Sequence, residues 1–456
     1  MNPSRTSQYF HMLGRFILIL ALVWGCICVR PHSAQAEVRQ TDSVLTSTVG
    51  DLGLDTGQCP DITGSSVCLM SSSGVVYFSR DALEPAHIAS LTKIMTAIVA
   101  LEHCDLDQLL TVPEEALVGG STSGLMVGDT ADLETFLACM LVPSGNDASM
   151  AIAYCVGQML PGYDGTPESA YSLFIQEMND TAERLGCSNT YFTNPSGLDF
   201  DEFASDAHSC AYDVAIMVAY AMEDETFRRI VGGGSTSVVV ENEGYTRSLY
   251  LETTDQLLEE YEGACGVKTG TTDAAGYCFA GAVNKDGAEF YAVVLDAASA
   301  DARFDDCATL FDWVFDNIEV VRLINSTIST TYAGQSVPLV ALVAHTDWVD
   351  VTVPATVKNP DISAEVFTLT GNVSQEISYA TVTGDVRAGD VVGSVTFYQN
   401  GQVLATSELI ATEDVDAPGF LQSLGVILQR IWCGIQGKPT VAQSAFSNSL
   451  SQFSYR

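Results

Sequence analysis

Positive charge is scarce in this chain. Only 19 of its 456 residues are lysine or arginine, against 57 aspartates and glutamates, so the formal net charge at pH 7 is -38. A surface this acidic repels nucleic acid and anionic lipid headgroups, and we expect neither as an electrostatic partner. The composition, 47% hydrophobic and only 17% charged, is nevertheless that of a well-buried globular protein and not of a disordered one.

Residues that commonly bind metals are also sparse. The chain has only six histidines, widely scattered, and none of its 13 cysteines forms a Cys-x-x-Cys pair. Zinc sites usually combine closely spaced cysteines and histidines. The sequence therefore predicts no metal site and no cofactor.

Long hydrophobic runs are absent except near the start of the chain. The apolar run at residues 16–29 follows two arginines and is too short to cross a bilayer. Ala34-Gln35-Ala36 then supplies the small residues of a cleavage signal. We therefore predict a secretory signal peptide at residues 1–36. The alternatives are lipid attachment at Cys26 and an uncleaved N-terminal anchor.

Cysteine usage bears on the compartment. Ten cysteines lie between Cys59 and Cys307, an even number in a chain that we expect to be exported. Disulfides are the default expectation for such a chain. Cys59 with Cys68, and Cys265 with Cys278, are candidates for bridges between neighbouring strands, but the spacing leaves the connectivity open.

Changes in composition divide the rest of the chain. A loose polar leader is expected at residues 37–61, followed at 62–324 by a domain of apolar helices and antiparallel strands. Residues 325–412 are rich in Thr, Val, Ser and Gly and alternate in polarity, which predicts a small β-sandwich-like domain. Residues 413–456 comprise an acidic linker, an amphipathic helix and a polar tail.

The amphipathic helix at residues 420–435 carries an apolar stripe opposite Gln422, Ser423, Gln429 and Arg430. Its apolar residues are Phe420, Leu421, Leu424, Ile427, Leu428, Ile431, Trp432 and Ile435. The segment is too short and too polar on one side to span a bilayer. The pattern favours a helix lying in the membrane interface, and the alternative is a helix packed on the β domain.

Ser90 and Lys93 stand out at the start of an apolar helix. Their spacing places them on one face of the helix, one turn apart. A lysine in a buried first turn is costly without a partner, so the pair predicts a serine nucleophile with a lysine base. Alternatively, Ser90 caps the helix and Lys93 snorkels. A Ser-x-x-Lys arises by chance in roughly one such chain in three, and the motif needs support from elsewhere.

Two further polar motifs lie in apolar surroundings. Ser144-Gly145-Asn146 falls between two buried helices, where it either places short polar side chains in the interior or simply forms a turn. Lys268-Thr269-Gly270-Thr271 ends a strand and can bind a carboxylate, with Gly270 allowing a ligand close to the backbone. The alternative for this motif is a solvated strand end. For Asn194, in Asn194-Pro195-Ser196-Gly197-Leu198, we expect a turn-forming role.

In this order, on a helix start, an inter-helix loop and a strand, the three motifs form a specific combination. With these residues, the chain from about 62 to 412 resembles the penicillin-binding serine D-alanyl-D-alanine carboxypeptidases of low molecular mass, peptidase family S11. The resemblance implies an α/β (α+β) transpeptidase-like catalytic domain, in which helices flank an antiparallel sheet. It also implies the small all-β domain and the C-terminal amphipathic helix.

The resemblance implies an extracytoplasmic, membrane-associated hydrolase that removes the terminal D-alanine from peptidoglycan pentapeptide stems. Ser90 would form the acyl-enzyme, Lys93 would accept its proton, and Ser144 would relay a proton to the leaving amine. Asn146 would orient Lys93 and the substrate amide. β-Lactams, which resemble the substrate terminus, would acylate Ser90.

By the same resemblance, Lys268, Thr269 and Gly270 would hold the substrate carboxylate. The backbone N–H groups of Ser90 and Thr271 would form the oxyanion hole. The stretch at residues 251–255 departs from the family, because it lacks the asparagine-rich run common there. The alternatives are a class A-like serine β-lactamase and a non-catalytic cell-wall-binding relative.

Overall fold

The computed structural model describes residues 37–450 of the chain. The predicted signal peptide, with Cys26, lies outside the described residues. The chain forms two compact units, divided between Asp312 and Trp313. Within residues 37–450, no helix combines the length and the apolar character needed to cross a membrane.

The main sheet of the first unit has seven antiparallel strands in the order β2-β1-β4-β3-β11-β10-β9. A smaller sheet has the order β5-β6-β7-β8. The strands are β1 Ser43–Val44, β2 Ser47–Thr48, β3 Ser66–Ser71, β4 Val76–Arg80, β5 Leu109–Thr111, β6 Thr130–Asp132, β7 Thr236–Asn242, β8 Tyr245–Leu251, β9 Ala264–Thr272, β10 Gly276–Lys285 and β11 Ala288–Ala297.

Helices pack against the main sheet and form most of the core. They are α1 Val49–Leu52, α2 Thr92–His103, α3 Leu133–Leu141, α4 Asn146–Gly157, α5 Pro167–Leu185, α6 Ala211–Ala221, α7 Glu225–Gly232, α8 Leu257–Glu260 and α9 Ala302–Asp316, with 3-10 turns at Thr56–Gln58, Ala89–Leu91, Glu114–Ala116 and Asp201–Phe203. Every residue of α2 from Thr92 to Ala100 is buried. This burial agrees with the apolar spacing. The predicted nucleophile, Ser90, lies in the turn that leads into α2.

The predicted leader at residues 37–61 is not loose. Its strand β1 pairs with β4 and so extends the main sheet. Asp42 forms a fully buried ion pair with Arg80, at 2.8 Å between Oδ2 and Nη2. Arg80 also donates to three backbone carbonyls in and just after the leader. The polar composition was misleading because a buried arginine needs polar partners, and the leader supplies them.

The structure does not show the expected disulfides: all 11 cysteines within residues 37–450 are free thiols. Cys278 lies opposite Gly270 in the β9–β10 pair, whereas Cys265 lies on β9 five residues before Gly270. Cys68 belongs to β3, which has β4 and β11 as neighbours, and Cys59 lies outside the sheet. Neither predicted pair is therefore in register to form a bridge across strands.

The second unit is the small all-β region. Its largest sheet has the order β18-β19-β20-β16-β15-β21, and two two-stranded antiparallel sheets, β12–β17 and β13–β14, accompany it. The strands are β12 Ile318–Arg322, β13 Ser329–Tyr332, β14 Gln335–Pro338, β15 Ala341–Ala344, β16 Thr352–Val357, β17 Ser363–Phe367, β18 Ser374–Tyr379, β19 Val391–Gln399, β20 Gln402–Ala411 and β21 Ala445–Phe446, with a 3-10 turn at Thr368–Thr370.

The amphipathic segment forms helix α10, Phe420–Ile435. Only Val426 is buried, and the whole predicted apolar stripe is exposed, from 54% at Ile427 to 86% at Phe420. Arg430, on the polar side, donates to the backbone carbonyls of Thr346 and Trp348 in the β region. The helix therefore turns its polar side to its own unit and its apolar side to the surroundings.

Candidate active site

Two glycines allow three separate segments to meet at Ser90. Ser90 lies in the 3-10 turn Ala89–Leu91 that precedes α2. Strand β9 approaches this turn so closely that a Cβ at Gly270 would lie 2.8 Å from the Ile88 carbonyl oxygen and 3.2 Å from the Ser90 nitrogen. Gly197 approaches from the other side, where a Cβ would overlap the Ala89 carbonyl. Larger residues at either position would push Ser90 away from its neighbours.

The loop that carries Gly197 is held by Asn194. Its Oδ1 accepts the backbone N–H groups of Ser196 and Gly197, and its Nδ2 donates to the Leu198 carbonyl. The predicted turn-forming role of Asn194 is confirmed. The turn also aims the Ser196 carbonyl at Lys93, a role of this loop that the sequence did not reveal.

Lys93 is the buried centre of the site. Its side chain is fully buried, and Nζ lies 2.8 Å from each of three oxygens: Ser90 Oγ, Asn146 Oδ1 and Ser196 O. Burial, then the nearby charge of Lys268, holds the pKa of Lys93 well below its ordinary value, while Asp147 acts in the opposite sense. A neutral amine keeps two N–H donors for Asn146 and Ser196, and its lone pair then faces the Ser90 hydroxyl.

The loop between α3 and α4 brings Asn146 to Lys93. Asn146 accepts from Lys93 and donates through Nδ2 to the Gly119 carbonyl at 2.9 Å, so its amide orientation is defined by both partners. Ser144 is buried and lies in the left-handed region, with φ of 64°. In the described part of the chain, the Ser144 hydroxyl makes no hydrogen bond to Ser90 or Lys93.

Asp147 fastens the loop that borders the site. Its carboxylate accepts from the backbone N–H groups of Ser123 and Leu125 and from the Thr122 hydroxyl. This leaves no oxygen of Asp147 free for Lys93. The loop at residues 119–125 is thereby held in place beside Asn146.

Lys268 and Thr269 lie on the part of β9 that passes Ser90. Lys268 is 1% exposed, and its Nζ donates to the Thr269 carbonyl at 3.0 Å. Burial, then the charge of Arg303, lowers the pKa of Lys268 to about 7, and Asp255 counteracts them. The Thr269 hydroxyl lies 2.6 Å from the Thr254 hydroxyl. These groups offer a cation and hydroxyls to an anionic ligand.

Arg303 is a second cation at this strand, and the sequence motifs did not point to it. It lies in α9, is 9% exposed, and donates from Nη1 to the Thr271 hydroxyl at 3.0 Å. The same nitrogen lies 3.4 Å from the Gly270 carbonyl oxygen. Only the general scarcity of basic residues could have drawn attention to it, because it reaches the site from a distant helix.

An open cleft of about 390 Å³ runs over the site. Ser90, Asn146 and Thr271 line it, so residues from all three predicted motifs border one cavity. Lys93 and Lys268 are buried beside these residues and do not line the cleft. Within the described residues, no group of three or more His, Cys, Asp or Glu side chains is arranged to hold a metal ion.

Comparisons with known proteins assign the chain to a family. The family model for D-alanyl-D-alanine carboxypeptidases, peptidase family S11, matches residues 55–299, more than half of the chain. The D-alanyl-D-alanine carboxypeptidase DacF of Bacillus subtilis is 28% identical over 370 residues, which cover 79% of this chain and 87% of that protein. DacB2 of Mycobacterium tuberculosis, also named a D-alanyl-D-alanine carboxypeptidase, is 31% identical over 249 residues, 53% of this chain and 79% of that protein.

A solved structure agrees with these sequence comparisons. The Streptomyces K15 DD-transpeptidase superposes with a TM-score of 0.53 at 28% identity, covering 56% of this chain and 98% of that one. The expected α/β (α+β) architecture, an antiparallel sheet flanked by helices, is confirmed. The chain belongs to the D-alanyl-D-alanine carboxypeptidase family, peptidase family S11.

Proposed function

We propose that the protein is a serine D-alanyl-D-alanine carboxypeptidase that removes the terminal D-alanine from peptidoglycan pentapeptide stems. The observation that carries the proposal is the position of the fully buried Lys93 amine, 2.8 Å from the Ser90 hydroxyl oxygen. A lysine held neutral at this distance is a base for a serine nucleophile. Family membership supports the same reaction.

Acylation begins when Ser90 Oγ attacks the carbonyl carbon between the last two D-alanines. The hydroxyl proton passes to Lys93 Nζ as the new C–O bond forms. The negative charge that develops on the carbonyl oxygen faces the backbone N–H groups of Ser90 and Thr271, which form the oxyanion hole in this proposal.

Collapse of the tetrahedral intermediate breaks the peptide bond and releases D-alanine. The leaving nitrogen needs a proton. In this proposal Ser144 relays it from Lys93, which requires the Ser144 hydroxyl to turn towards Lys93, because no hydrogen bond joins these two described residues. Asn146 holds Lys93 in position through Oδ1 and orients the substrate amide. Water then hydrolyses the ester on Ser90 and restores the free enzyme.

The terminal carboxylate of the substrate binds at β9. Lys268 supplies the positive charge and Thr269 a hydroxyl, while Gly270 allows β9 to lie close against the Ser90 turn. Arg303 supports this region by donating to the Thr271 hydroxyl and the Gly270 carbonyl. The hydroxyl pair of Thr254 and Thr269 helps to hold Thr269 in place.

The test is release of D-alanine from a pentapeptide that ends in D-Ala-D-Ala. We expect the parent protein to release one D-alanine for each pentapeptide consumed. Ser90→Ala should release none, although it should fold equally well. Rapid, sustained hydrolysis of penicillin would instead indicate a β-lactamase. Failure both to release D-alanine and to label covalently with penicillin would indicate a non-catalytic relative.

The same proposal places the enzyme outside the cytoplasm, where its substrate lies. The signal-like residues 1–36 support export, and the exposed apolar stripe of α10 supports attachment to a membrane surface. Helix α10 has no acidic residue and a single basic one, Arg430. Attachment would therefore depend on apolar insertion and not on charge.

A further inference from the structure

A buried carboxylate, Asp255, lies close to Lys268 and has no role in the reaction described above. Asp255 follows Thr254 directly, and the Thr254 hydroxyl is bonded to that of Thr269, the residue after Lys268. Asp255 is only 4% exposed. The segment before α8 is thus tied to β9 at the point where the carboxylate of the substrate would bind.

Asp255 is only half satisfied. Its Oδ1 accepts the backbone N–H of Leu257 at 3.0 Å, but Oδ2 has no hydrogen-bond partner among the described residues. The Nε of the nearby Arg303 is likewise buried without a partner in the described part of the chain. Burying an incompletely paired charge is costly. A group kept at such a cost next to an active site is a candidate for a functional role.

The three charges act on one another. Burial raises the pKa of Asp255 to about 7, while the charges of Lys268 and Arg303 pull it down. Asp255 in turn raises the pKa of Lys268, against burial and Arg303. A negative Asp255 therefore favours a protonated Lys268 near neutral pH.

We propose that Asp255 is a positioning residue that keeps the proton on Lys268, so that a cation is present to bind the terminal carboxylate of the substrate. The inference rests on the proposed function and deepens it. A charged Lys268 also favours the neutral form of Lys93, since the charge of Lys268 lowers the pKa of Lys93. Asp255 thereby helps to hold the two lysines in opposite protonation states.

Other ionisable groups around β9 do not supply this counter-charge. The carboxylates of Glu289 and Glu134 are paired with Arg228 and Arg229 of α7. Asp147, on the Lys93 side, is occupied by the loop at residues 119–125. Three thiols near β9 have pKa values raised by burial and are neutral near pH 7: Cys265 on β9, Cys278 on β10 and Cys307 on α9. Asp199 lies at the far end of β9, where it accepts from the Thr272 hydroxyl, and Asp296 accepts from the Ser65 hydroxyl.

Asp255→Asn tests the inference with little change in shape, because an asparagine oxygen can still accept from the Leu257 N–H. We would measure kcat and KM for D-alanine release from a diacylated L-Lys-D-Ala-D-Ala peptide between pH 5 and 10. Loss of the negative charge should move the alkaline limb of kcat/KM about one unit lower in pH, and at pH 8 raise KM about tenfold with little change in kcat.

Three controls separate positioning from mere stabilisation. Asp213→Asn removes another buried carboxylate with an unpartnered oxygen, located in α6, and should leave the pH profile unchanged. For a substrate that ends in a carboxamide, kcat/KM should be the same for the parent and Asp255→Asn, because this substrate lacks the carboxylate that Lys268 would bind. Asp255→Glu should restore part of the profile. An unshifted limb with unchanged KM in a folded Asp255→Asn protein would overturn the inference.

A binding measurement keeps this test independent of turnover. In a Ser90→Ala background, the same peptide should bind about tenfold more weakly at pH 8 when Asp255 is also replaced by Asn. If the parent binds the peptide with this dependence but releases no D-alanine, the proposed function fails and the role of Asp255 stands. If D-alanine is released but replacing Asp255 leaves peptide binding unchanged, the proposed function stands and the role of Asp255 fails. No peptide binding at all would overturn both.

Discussion

At the scale of single residues, the account depends on a lysine that is buried and neutral. Lys93 has three oxygen neighbours at 2.8 Å, which would also suit an ammonium group with three donors. Two features favour the neutral amine: complete burial and the charge of Lys268, both of which lower its pKa. The third neighbour is then a hydroxyl that can donate to Nζ, and the contact becomes the path of the proton.

Lys93→Arg tests this requirement. A guanidinium remains protonated at any accessible pH and cannot accept the Ser90 proton. We expect the rate of covalent labelling by fluorescent penicillin to fall by at least about 10²-fold, in line with loss of a general base. Lys285→Arg, on the hairpin between β10 and β11, is a matched control and should label like the parent. Near-normal labelling of Lys93→Arg would show that Lys93 is not the base.

Residue chemistry was predictable only where it was local. Ser90 with Lys93 could be inferred from spacing on a helix, and Asn194 from turn chemistry. The Ser196 carbonyl, Arg303 and Asp255 were not identified, because each reaches the site through tertiary contacts with segments remote in sequence. No pattern within a short window encodes such contacts.

At the scale of elements, glycines decide which segments can meet. Gly270 lets β9 pass against the Ser90 turn. Gly197 lets the loop at residues 194–198 approach the other side of the same turn. Both lie inside motifs that are short and weak when taken singly. Their structural role explains why the order and context of the motifs carry more information than any one motif does.

The helices and strands that carry the site were largely predictable from periodicity. Short alternating apolar runs predict strands at 263–269, 276–283 and 289–295, which correspond to β9, β10 and β11. Apolar residues at helical spacing predict a helix at 133–142, which corresponds to α3. The sequence also predicts a closing helix at 310–318, which in the structure begins earlier, at Ala302. The first two turns were not predicted because Arg303 and its acidic neighbours resemble a polar surface, although Arg303 is buried against β9.

At the scale of the whole molecule, the net charge and the exposed apolar surface have opposite effects on membrane binding. A net charge of -38 opposes contact with anionic lipids, yet α10 exposes eight large apolar side chains. Each such side chain contributes about 1.5–3 kcal/mol when it is fully buried. The apolar stripe can therefore outweigh the repulsion, provided that insertion is shallow and the acidic body stays in water.

Replacing Ile427 and Ile431 with Glu should abolish cosedimentation of the protein with phosphatidylcholine vesicles. The parent should remain bound in high salt, since apolar insertion is not screened. Gln422→Glu with Gln429→Glu adds the same two charges on the polar side of α10 and should leave binding intact. Equal cosedimentation of the parent and the Ile427/Ile431 variant would mean that α10 is not the attachment surface.

The central claim is that Ser90 is the nucleophile, activated by Lys93. Its most direct test is the mass of the intact protein after brief exposure to penicillin, followed by peptide mapping. We predict one added penicilloyl group per chain, located on Ser90 and absent from Ser90→Ala. An adduct on another residue, or one that persists in Ser90→Ala, would contradict the account.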